Sequence, residues 1–369
     1  MKYQRHFDRK FRHWFIGSLA AFTLIQPAVA EIDATVDLTP RIIGGQPAPA
    51  EHTQWVAAIL NSAIPNPADA QFCGGTFIKE NWVVTAAHCV VNSSPVEIDV
   101  LLGQSNLAEG NGVRAPVQQI IIHPDYSELT LDNDIALLLL GLPVSVITPM
   151  KLPGQVFDNP VAKEGIDSVV LGWGNTDTNS PTFPDDLMMA SIPIISNTAC
   201  NSAYPGWISD FHVCAGLPEG SKDSCQGDSG GPMVMKSRQT NQSWILSGVV
   251  SWGTGCAEPG FPGVYTRVAS FIEWITANIC SAAEIPPAPV ITVTVSGTEL
   301  TVTVEPISGV TGYRLYIARP GFVEFDQYDI GNKTMVTANL PSGTDILVGG
   351  SAYNNNCSSA LSNFEQVVL

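Results

Sequence analysis

Three short polar segments, far apart along the chain, constrain its fold more than any other feature. They are Thr85-Ala86-Ala87-His88-Cys89, Asp132-Asn133-Asp134-Ile135-Ala136 and Gly227-Asp228-Ser229-Gly230-Gly231-Pro232. A serine hydroxyl is a weak nucleophile unless a nearby base takes its proton, and histidine is the base suited to neutral pH. That histidine needs a buried carboxylate, which fixes its tautomer and stabilises its charged form. A fold that uses all three residues must bring three distant loops together.

Taken alone, the last segment is equally typical of a glycine-rich turn. Glycines on both sides of Ser229, however, let backbone amides approach a reacting carbonyl, because they carry no Cβ. His88 follows the apolar run Trp82-Val83-Val84, and Asp134 enters a strand of buried type. The histidines without such a context are His6, His13, His52, His123 and His212. Together the three segments favour an acyl-transfer site over a turn.

In this order along the chain, the segments resemble the catalytic motifs of the chymotrypsin/trypsin family of serine proteases, over about residues 42–280. The resemblance implies an all-β fold of two six-stranded antiparallel β-barrels with a C-terminal helix, and a site in the cleft between the barrels. It also implies the roles of His88 as general base and acid, Asp134 as the carboxylate that holds the imidazole, and Ser229 as nucleophile. The backbone amides of Gly227 and Ser229 would form the oxyanion hole.

The resemblance also predicts that the chain is made as a zymogen. Ile42-Ile43-Gly44-Gly45 follows Arg41, and cleavage after Arg41 would give Ile42 a free ammonium group. That ammonium is expected to pair with Asp228, because a buried carboxylate without a partner is costly. The pair would order the loop that carries Ser229, so the uncut precursor is expected to be inactive.

Substrate preference is predicted from Asp223, six positions before Ser229. In the trypsin-like branch of the family, a carboxylate there lies at the base of the primary pocket and selects Arg or Lys by charge pairing. Gly253 and Gly263 would leave this pocket open to a long side chain. The strand edge Ser251-Trp252-Gly253 would hydrogen-bond the substrate backbone. The alternative is that Asp223 misses the pocket, which would give a chymotrypsin-like preference.

The chain contains eight cysteines. An even number behind an export signal implies disulfides formed in an oxidising compartment. The family resemblance implies three pairs, which are Cys73 with Cys89, Cys200 with Cys214, and Cys225 with Cys256. We expect the remaining Cys280 and Cys357 to pair and to join two domains, the alternative being two free or intermolecular thiols. No pair has the close C-x-x-C spacing of zinc sites, and neither a metal nor a cofactor is predicted.

Composition divides the chain into five parts. Residues 1–30 have a basic start, a short apolar core and a small-residue cleavage site, which is typical of a secretory signal peptide rather than an uncleaved membrane anchor. An activation pro-segment follows at 31–41, and the protease domain at 42–280. A proline-rich linker occupies 281–289. Residues 290–369 alternate β-branched residues and threonine and predict a small β-sandwich, which resembles a fibronectin type III or immunoglobulin-like domain.

The expected product is a secreted protein whose partners are proteins or peptides with Arg or Lys at the cleavage site. A formal net charge of −17 argues against nucleic acid as a partner. After the signal peptide, no segment is apolar over a length that would anchor the chain in a membrane. Calcium is not predicted in the loop 103–113, where Gln104 stands at the position of a usual carboxylate ligand in the family.

Two alternatives remain open. One is a pseudoenzyme that binds without catalysis, although each triad residue is present. The other places the biological role in residues 290–369, whose partner the sequence does not identify. The aromatic residues considered for that role are Tyr313, Phe322, Phe325 and Tyr328, although such residues more often pack in a core. The glycan-acceptor pattern, a weak signal, occurs at Asn92, Asn241, Asn332 and Asn356.

Overall fold

The structure, a computed structural model, describes residues 42–52, 54–153, 164–236, 244–318 and 325–369. All of them belong to one contiguous unit, Pro40–Leu369. The predicted signal peptide and pro-segment, the cleavage residue Arg41, the sequon at Asn241 and the side chains of Phe322 and Phe325 lie outside the described part.

The first barrel forms from six short antiparallel strands. A two-residue strand, β1, precedes it at Gln46–Pro47. The barrel strands are β2 Val56–Asn61, β3 Gln71–Lys79, β4 Trp82–Thr85, β5 Ile98–Leu102, β6 Val113–Ile122 and β7 Ala136–Leu140. They close in the order β2-β3-β4-β7-β6-β5. Every residue from Val56 to Leu60 is buried, which explains why the sequence of β2 lacks regular polar alternation.

The second barrel repeats this architecture. Its strands are β8 Asp167–Gly172, β9 Met188–Ile195, β10 His212–Ala215, β11 Pro232–Lys236, β12 Trp244–Trp252 and β13 Gly263–Arg267. Neighbours follow the order β9-β10-β13-β12-β11-β8, and β8 pairs back with β9, which closes the sheet. The short strand β1 also pairs with β9. The two closed barrels confirm the predicted double-barrel fold.

Within the described ranges, three short α-helices accompany the barrels. They are α1 Pro67–Ala70, α2 Asn197–Ala203 and α3 Ile272–Ile279. The C-terminal helix predicted over 268–279 is present, but its first turn, Val268–Phe271, is a 3-10 helix. Turns of this kind are common where an α-helix begins. Single 3-10 turns also occur at Ala50–His52, Ala87–Cys89 and Pro95–Glu97.

Two further sheets follow the barrels and share one apolar core. Their strands are β14 Ile291–Ser296, β15 Glu299–Val304, β16 Gly312–Ala318, β17 Phe325–Gly331, β18 Met335–Asn339, β19 Asp345–Asn354, β20 Cys357–Ser358 and β21 Glu365–Val368. One sheet has the order β14-β15-β18, and the other has the order β17-β16-β19, with β20 and β21 both paired to β19. Tyr313 is a core residue of this part, whereas the Tyr328 side chain is 43% exposed.

A polar junction connects these sheets to the first barrel. The Lys79 ammonium donates to the Ile279 carbonyl at 2.8 Å and to Glu284 Oε1 at 2.6 Å. The buried Asn356 side chain donates to the carbonyls of Ile78 and Met150 and accepts from Leu152 N. The linker residue Glu284 is therefore attached to the barrel, although composition predicts a stiff spacer here.

Four disulfides join the eight cysteines. The pairs are Cys73–Cys89, Cys200–Cys214, Cys225–Cys256 and Cys280–Cys357, which are the four predicted ones. The last of them links the end of α3 to β20, beside the polar junction. Over the described ranges, no helix combines the length and the apolar character that crossing a membrane requires.

Candidate active site

Strand pairing brings His88 and Asp134 together. Strand β4 runs antiparallel to β7 with Thr85 opposite Ala136. His88 lies three residues after Thr85, in the 3-10 turn, and Asp134 lies two residues before Ala136. The two side chains therefore meet at the same edge of the first barrel. His88 Nδ1 lies 2.7 Å from Asp134 Oδ2, and the backbone N–H of His88 donates to Asp134 Oδ1 at 2.9 Å.

The Asp134 carboxylate is completely buried and receives a further donor from the second barrel. The hydroxyl of Ser251, on β12, donates to the same oxygen that faces His88. Thr266, on β13, donates its hydroxyl to the Asp134 carbonyl at 2.8 Å. The sequence predicts Ser251 only as part of a substrate-binding strand edge and gives Thr266 no role. Both contacts hold Asp134 between the barrels.

The loop of Ser229, which leads into β11, packs against the turn that carries His88. Gly74 of β3 donates its N–H to the Ser229 carbonyl at 2.7 Å. A Cβ on Gly230 would lie 2.2 Å from Thr85 Oγ1, so only glycine fits there. Thr85 leads directly into the 3-10 turn. The structure thus brings the three predicted triad residues to one place, where the barrels meet.

Three backbone N–H groups between Cys225 and Gly231 donate to no residue that the structure describes, and they are those of Gln226, Gly227 and Ser229. The other N–H groups of this stretch have acceptors. Cys225 N donates to Asp228 Oδ2, Asp228 N to the Cys225 carbonyl, Gly230 N to the Val250 carbonyl and Gly231 N to the Asp228 carbonyl. Gly227 has a φ of +94°, which a side chain would strain. The two predicted oxyanion donors are therefore available to a ligand.

Asp228 points away from these donors into the second barrel. Its carboxylate accepts hydrogen bonds from Cys225 N at 2.9 Å and from Gly174 N at 2.8 Å. Complete burial nevertheless raises the pKa of Asp228 to about 7. Such a carboxylate gains stability from a nearby cation.

The residues that follow Arg41 pack against the same region. The Ile42 side chain is completely buried in the core of the second barrel. The Ile43 carbonyl accepts from Asp223 N at 3.3 Å. A Cβ on Gly44 would lie 2.2 Å from the Ser221 carbonyl, so this segment lies directly on the loop before Asp228.

Asp223 lines a cavity of about 120 Å³ that also reaches Ser229. Its wall includes Trp252, Gly253 and Gly263. A Cβ on Gly263 would lie 2.7 Å from Asp223 Oδ1, so a glycine is needed at that position. The Cys225–Cys256 disulfide forms another part of the wall.

The two oxygens of the Asp223 carboxylate differ in their hydrogen bonding. Its side chain is nearly buried, and burial raises its pKa to about 6. Oδ2 accepts from Ala257 N at 3.0 Å. Oδ1 is buried without a hydrogen-bond partner among the described residues. An unpartnered buried carboxylate oxygen is costly, and a donor entering the cavity would relieve that cost.

The loop 103–113, where calcium is not predicted, is bridged by one of its own side chains. Gln104 accepts from Gly112 N at 2.7 Å and donates to the Asn106 carbonyl. Within the described ranges, the only close group of possible metal ligands is Cys73, His88 and Cys89, and its two cysteines are joined in a disulfide.

Comparison with known proteins agrees with this geometry. Residues 42–275 match the family described as Trypsin. Trypsin-3 of Salmo salar is 39% identical over 259 residues, which cover 69% of this chain and 99% of the relative. Serine protease 1 of Rattus norvegicus is 39% identical over 72% of this chain and all of the relative. Anionic trypsin of Bos taurus is 41% identical over 58% of this chain and 82% of the relative. The chain therefore belongs to the trypsin family and is a serine endopeptidase.

Proposed function

We propose that this chain is a secreted, trypsin-like endopeptidase that is made as a zymogen and cleaves after Arg or Lys through a Ser-His-Asp triad. The observation that carries the proposal is the buried Asp134 carboxylate, which faces His88 Nδ1 at 2.7 Å beside the loop of Ser229. A carboxylate only accepts hydrogen bonds, so Nδ1 carries the proton and Nε2 is left free as a base.

In the first step, the Ser229 hydroxyl oxygen attacks the scissile carbonyl carbon while His88 Nε2 takes the hydroxyl proton. The resulting oxyanion accepts hydrogen bonds from the Gly227 and Ser229 N–H groups, which have no other acceptor among the described residues. Collapse of this intermediate breaks the C–N bond, and His88 gives its proton to the leaving amine. Water then attacks the acyl-enzyme by the same route and releases the second product.

Asp223 supports the Arg/Lys preference. Its partnerless Oδ1 and its burial-raised pKa both indicate a carboxylate that a cation entering the cavity would stabilise. A guanidinium donates two parallel hydrogen bonds to such a group, and an ammonium donates one. The chymotrypsin-like alternative requires Asp223 to lie away from the pocket, whereas it lines the same cavity as Ser229.

Activation rests on Asp228. Its fully buried carboxylate has a raised pKa, and the segment that begins at Ile42 lies on the neighbouring loop. Cleavage after Arg41 would turn the amide of Ile42 into an ammonium, which is the cation that this carboxylate lacks. Because Asp228 separates the two oxyanion donors, the new ion pair would fix both of them.

Residues 290–369 are proposed to form a separate module of the fibronectin type III or immunoglobulin-like kind. The arrangement of a three-stranded sheet packed on a sheet built around β16 and β19 supports this assignment. Export through the predicted signal peptide at 1–30 completes the proposal, and the four disulfides fit an oxidising compartment.

The proposal is tested with the purified precursor and its Ser229→Ala and Arg41→Gln variants. After cleavage at Arg41, the wild-type protein should hydrolyse peptides with Arg or Lys before the scissile bond, and Ser229→Ala should lose essentially all activity. Arg41→Gln should remain an inactive precursor. Full activity of Arg41→Gln would refute the zymogen step, and equal cleavage after Phe or Leu would refute the Arg/Lys preference.

A further inference from the structure

The Gly227 carbonyl has an unexpected partner on the other barrel. Gln71 is the first residue of β3, and its side-chain amide donates to the Gly227 carbonyl at 2.8 Å. The same Nε2 also donates to the Cys73 carbonyl at 3.1 Å. The amide thus bridges its own strand and the loop of Ser229, which are 156 residues apart in the sequence.

The bond from Gln71 is made to Gly227, whose backbone is weakly restrained. Gly227 has no side chain, and a glycine peptide rotates at little steric cost. Its N–H has no acceptor among the described residues, and its carbonyl accepts only from Gln71. The peptide plane before Gly227 is held separately, because the Gln226 carbonyl accepts from Asn175 N at 2.7 Å.

The two bonds have complementary effects. The bond from Asn175 fixes the direction of the Gly227 N–H, which lies in the same peptide plane as the Gln226 carbonyl. The bond from Gln71 holds the carbonyl side of the next plane, and the bond from Asp228 N to the Cys225 carbonyl holds its N–H side. This second plane leads through Asp228 to the Ser229 N–H. Oxyanion stabilisation depends on donors that are already aimed before the charge develops. Loss of the Gln71 bond would therefore leave the second plane with one of its two anchors and loosen the donors on both sides of it.

We infer that Gln71 is a positioning residue for the oxyanion hole, an inference that rests on the proposed function of the Gly227 and Ser229 amides. Gln71 touches neither the reacting atoms nor the cavity of Asp223. It also bonds to the carbonyl of Cys73, whose disulfide to Cys89 holds the residue next to His88. The first residues of β3 thereby help to position both the base, His88, and the oxyanion donors, Gly227 and Ser229.

The first test is Gln71→Leu in the activated full-length protein, which keeps the side-chain volume and removes the donors. Direct loss of one oxyanion donor costs about 10²–10³ in rate, so loosening one through its anchor should lower kcat about tenfold and leave KM nearly unchanged. The oxygen of the Ser229 hydroxyl adds to the aldehyde carbon of a peptide aldehyde ending in Arg. The former aldehyde oxygen then lies in the oxyanion hole. The affinity of this aldehyde should fall about as much as kcat. Benzamidine, which fills only the cavity of Asp223, should bind equally well.

The second test is Gln71→Glu, which separates hydrogen bonding from packing. An ionised carboxylate repels the Gly227 carbonyl, whereas a protonated carboxyl can donate to it. Protonation of His88 at acidic pH lowers the activity of both proteins, so the informative quantity is the ratio of variant kcat to wild-type kcat. That ratio should rise as the pH falls from 8 to 5. The matched control is Gln118→Leu, at an exposed glutamine of β6, which should match wild type in every assay.

The outcomes distinguish the inference from the function beneath it. If wild type is active and Gln71→Leu keeps its kcat and its aldehyde affinity, the inference is wrong and the proposed function stands. An equal loss of benzamidine binding would also overturn the inference, because it would indicate general disorder of the site. An activated wild type with no more activity than Ser229→Ala would overturn the proposed function, and the inference with it.

Discussion

The active site and the polar junction lie at opposite ends of β3. They differ in whether their buried polar groups have hydrogen-bond partners. At the start of the strand, around Gln71, the structure leaves the N–H groups of Gly227 and Ser229 without acceptors among the described residues. Asp223 Oδ1, in the adjoining cavity, is likewise unpartnered. At the end of the strand, both Lys79 and Asn356 are nearly buried, and their polar atoms have partners.

The unpartnered groups at the active site are available to a ligand, whereas the paired groups at the junction stabilise the fold. A buried polar group without a partner costs about 1–3 kcal/mol, and a ligand that supplies the partner recovers that cost. The junction needs no ligand, because each donor meets a carbonyl or carboxylate of the same chain.

Asp223→Ser should remove Arg and Lys cleavage almost completely. The variant loses the carboxylate that would pair with the substrate cation, and sites built around such a polar contact discriminate by about 10³-fold or more. The measurement is kcat/KM on a matched series of peptides with Arg, Lys, Phe or Leu before the scissile bond. Unchanged rates on Arg peptides would show that the partnerless Oδ1 is not a substrate contact.

Asn356→Ala should destabilise the folded chain by about 4 kcal/mol, because it strips partners from two carbonyls and one N–H that remain buried. Urea unfolding of both proteins in the Ser229→Ala background avoids self-cleavage and measures this change directly. The matched control is Asn332→Ala, at the other described sequon of this region, where the residue is exposed. A loss below about 1 kcal/mol at Asn356 would mean that the junction only covers the barrel.

Asp223→Asn should stabilise the ligand-free protein against unfolding, and only above the raised pKa of Asp223, about 6. Burial raises the pKa of Asp223 from 3.8 to about 6, so the ionised group destabilises the folded state by up to about 3 kcal/mol above pH 6. That cost disappears as the pH falls through 6 towards 4, because the carboxyl becomes protonated in the folded state first. Urea unfolding at pH 8 and pH 4 should therefore show a gain for the variant at pH 8 alone. An equal gain at both values would rule out the charge as its cause.

The sequence predicts those parts of the molecule whose chemistry is local. The turn at His88, the strand entry at Asp134 and the loop at Ser229 are each recognisable by residue type and spacing. Three of the four cysteine pairs follow the same family pattern, and the fourth follows from the two cysteines that remain. The hydroxyl of Ser251, the amide of Gln71 and the side chain of Asn356 do not. Each acts on a partner more than 100 residues away, and no local pattern marks which carbonyl or carboxylate the fold will bring near it.

The smallest expected effect concerns Ser251, which links the second barrel to Asp134. Ser251→Ala leaves the carboxylate with its two bonds from His88 and removes one donor, a loss worth about 1–1.5 kcal/mol, or about tenfold in kcat. KM should change little, because the backbone of Ser251 is retained for the substrate. Ser251→Thr keeps the hydroxyl and should restore much of the rate. The control is Ser247→Ala, at a buried serine of the same strand whose hydroxyl bonds only within β12. If both alanine variants lose activity equally, packing of β12 explains the loss, and the contact between Ser251 and Asp134 does not.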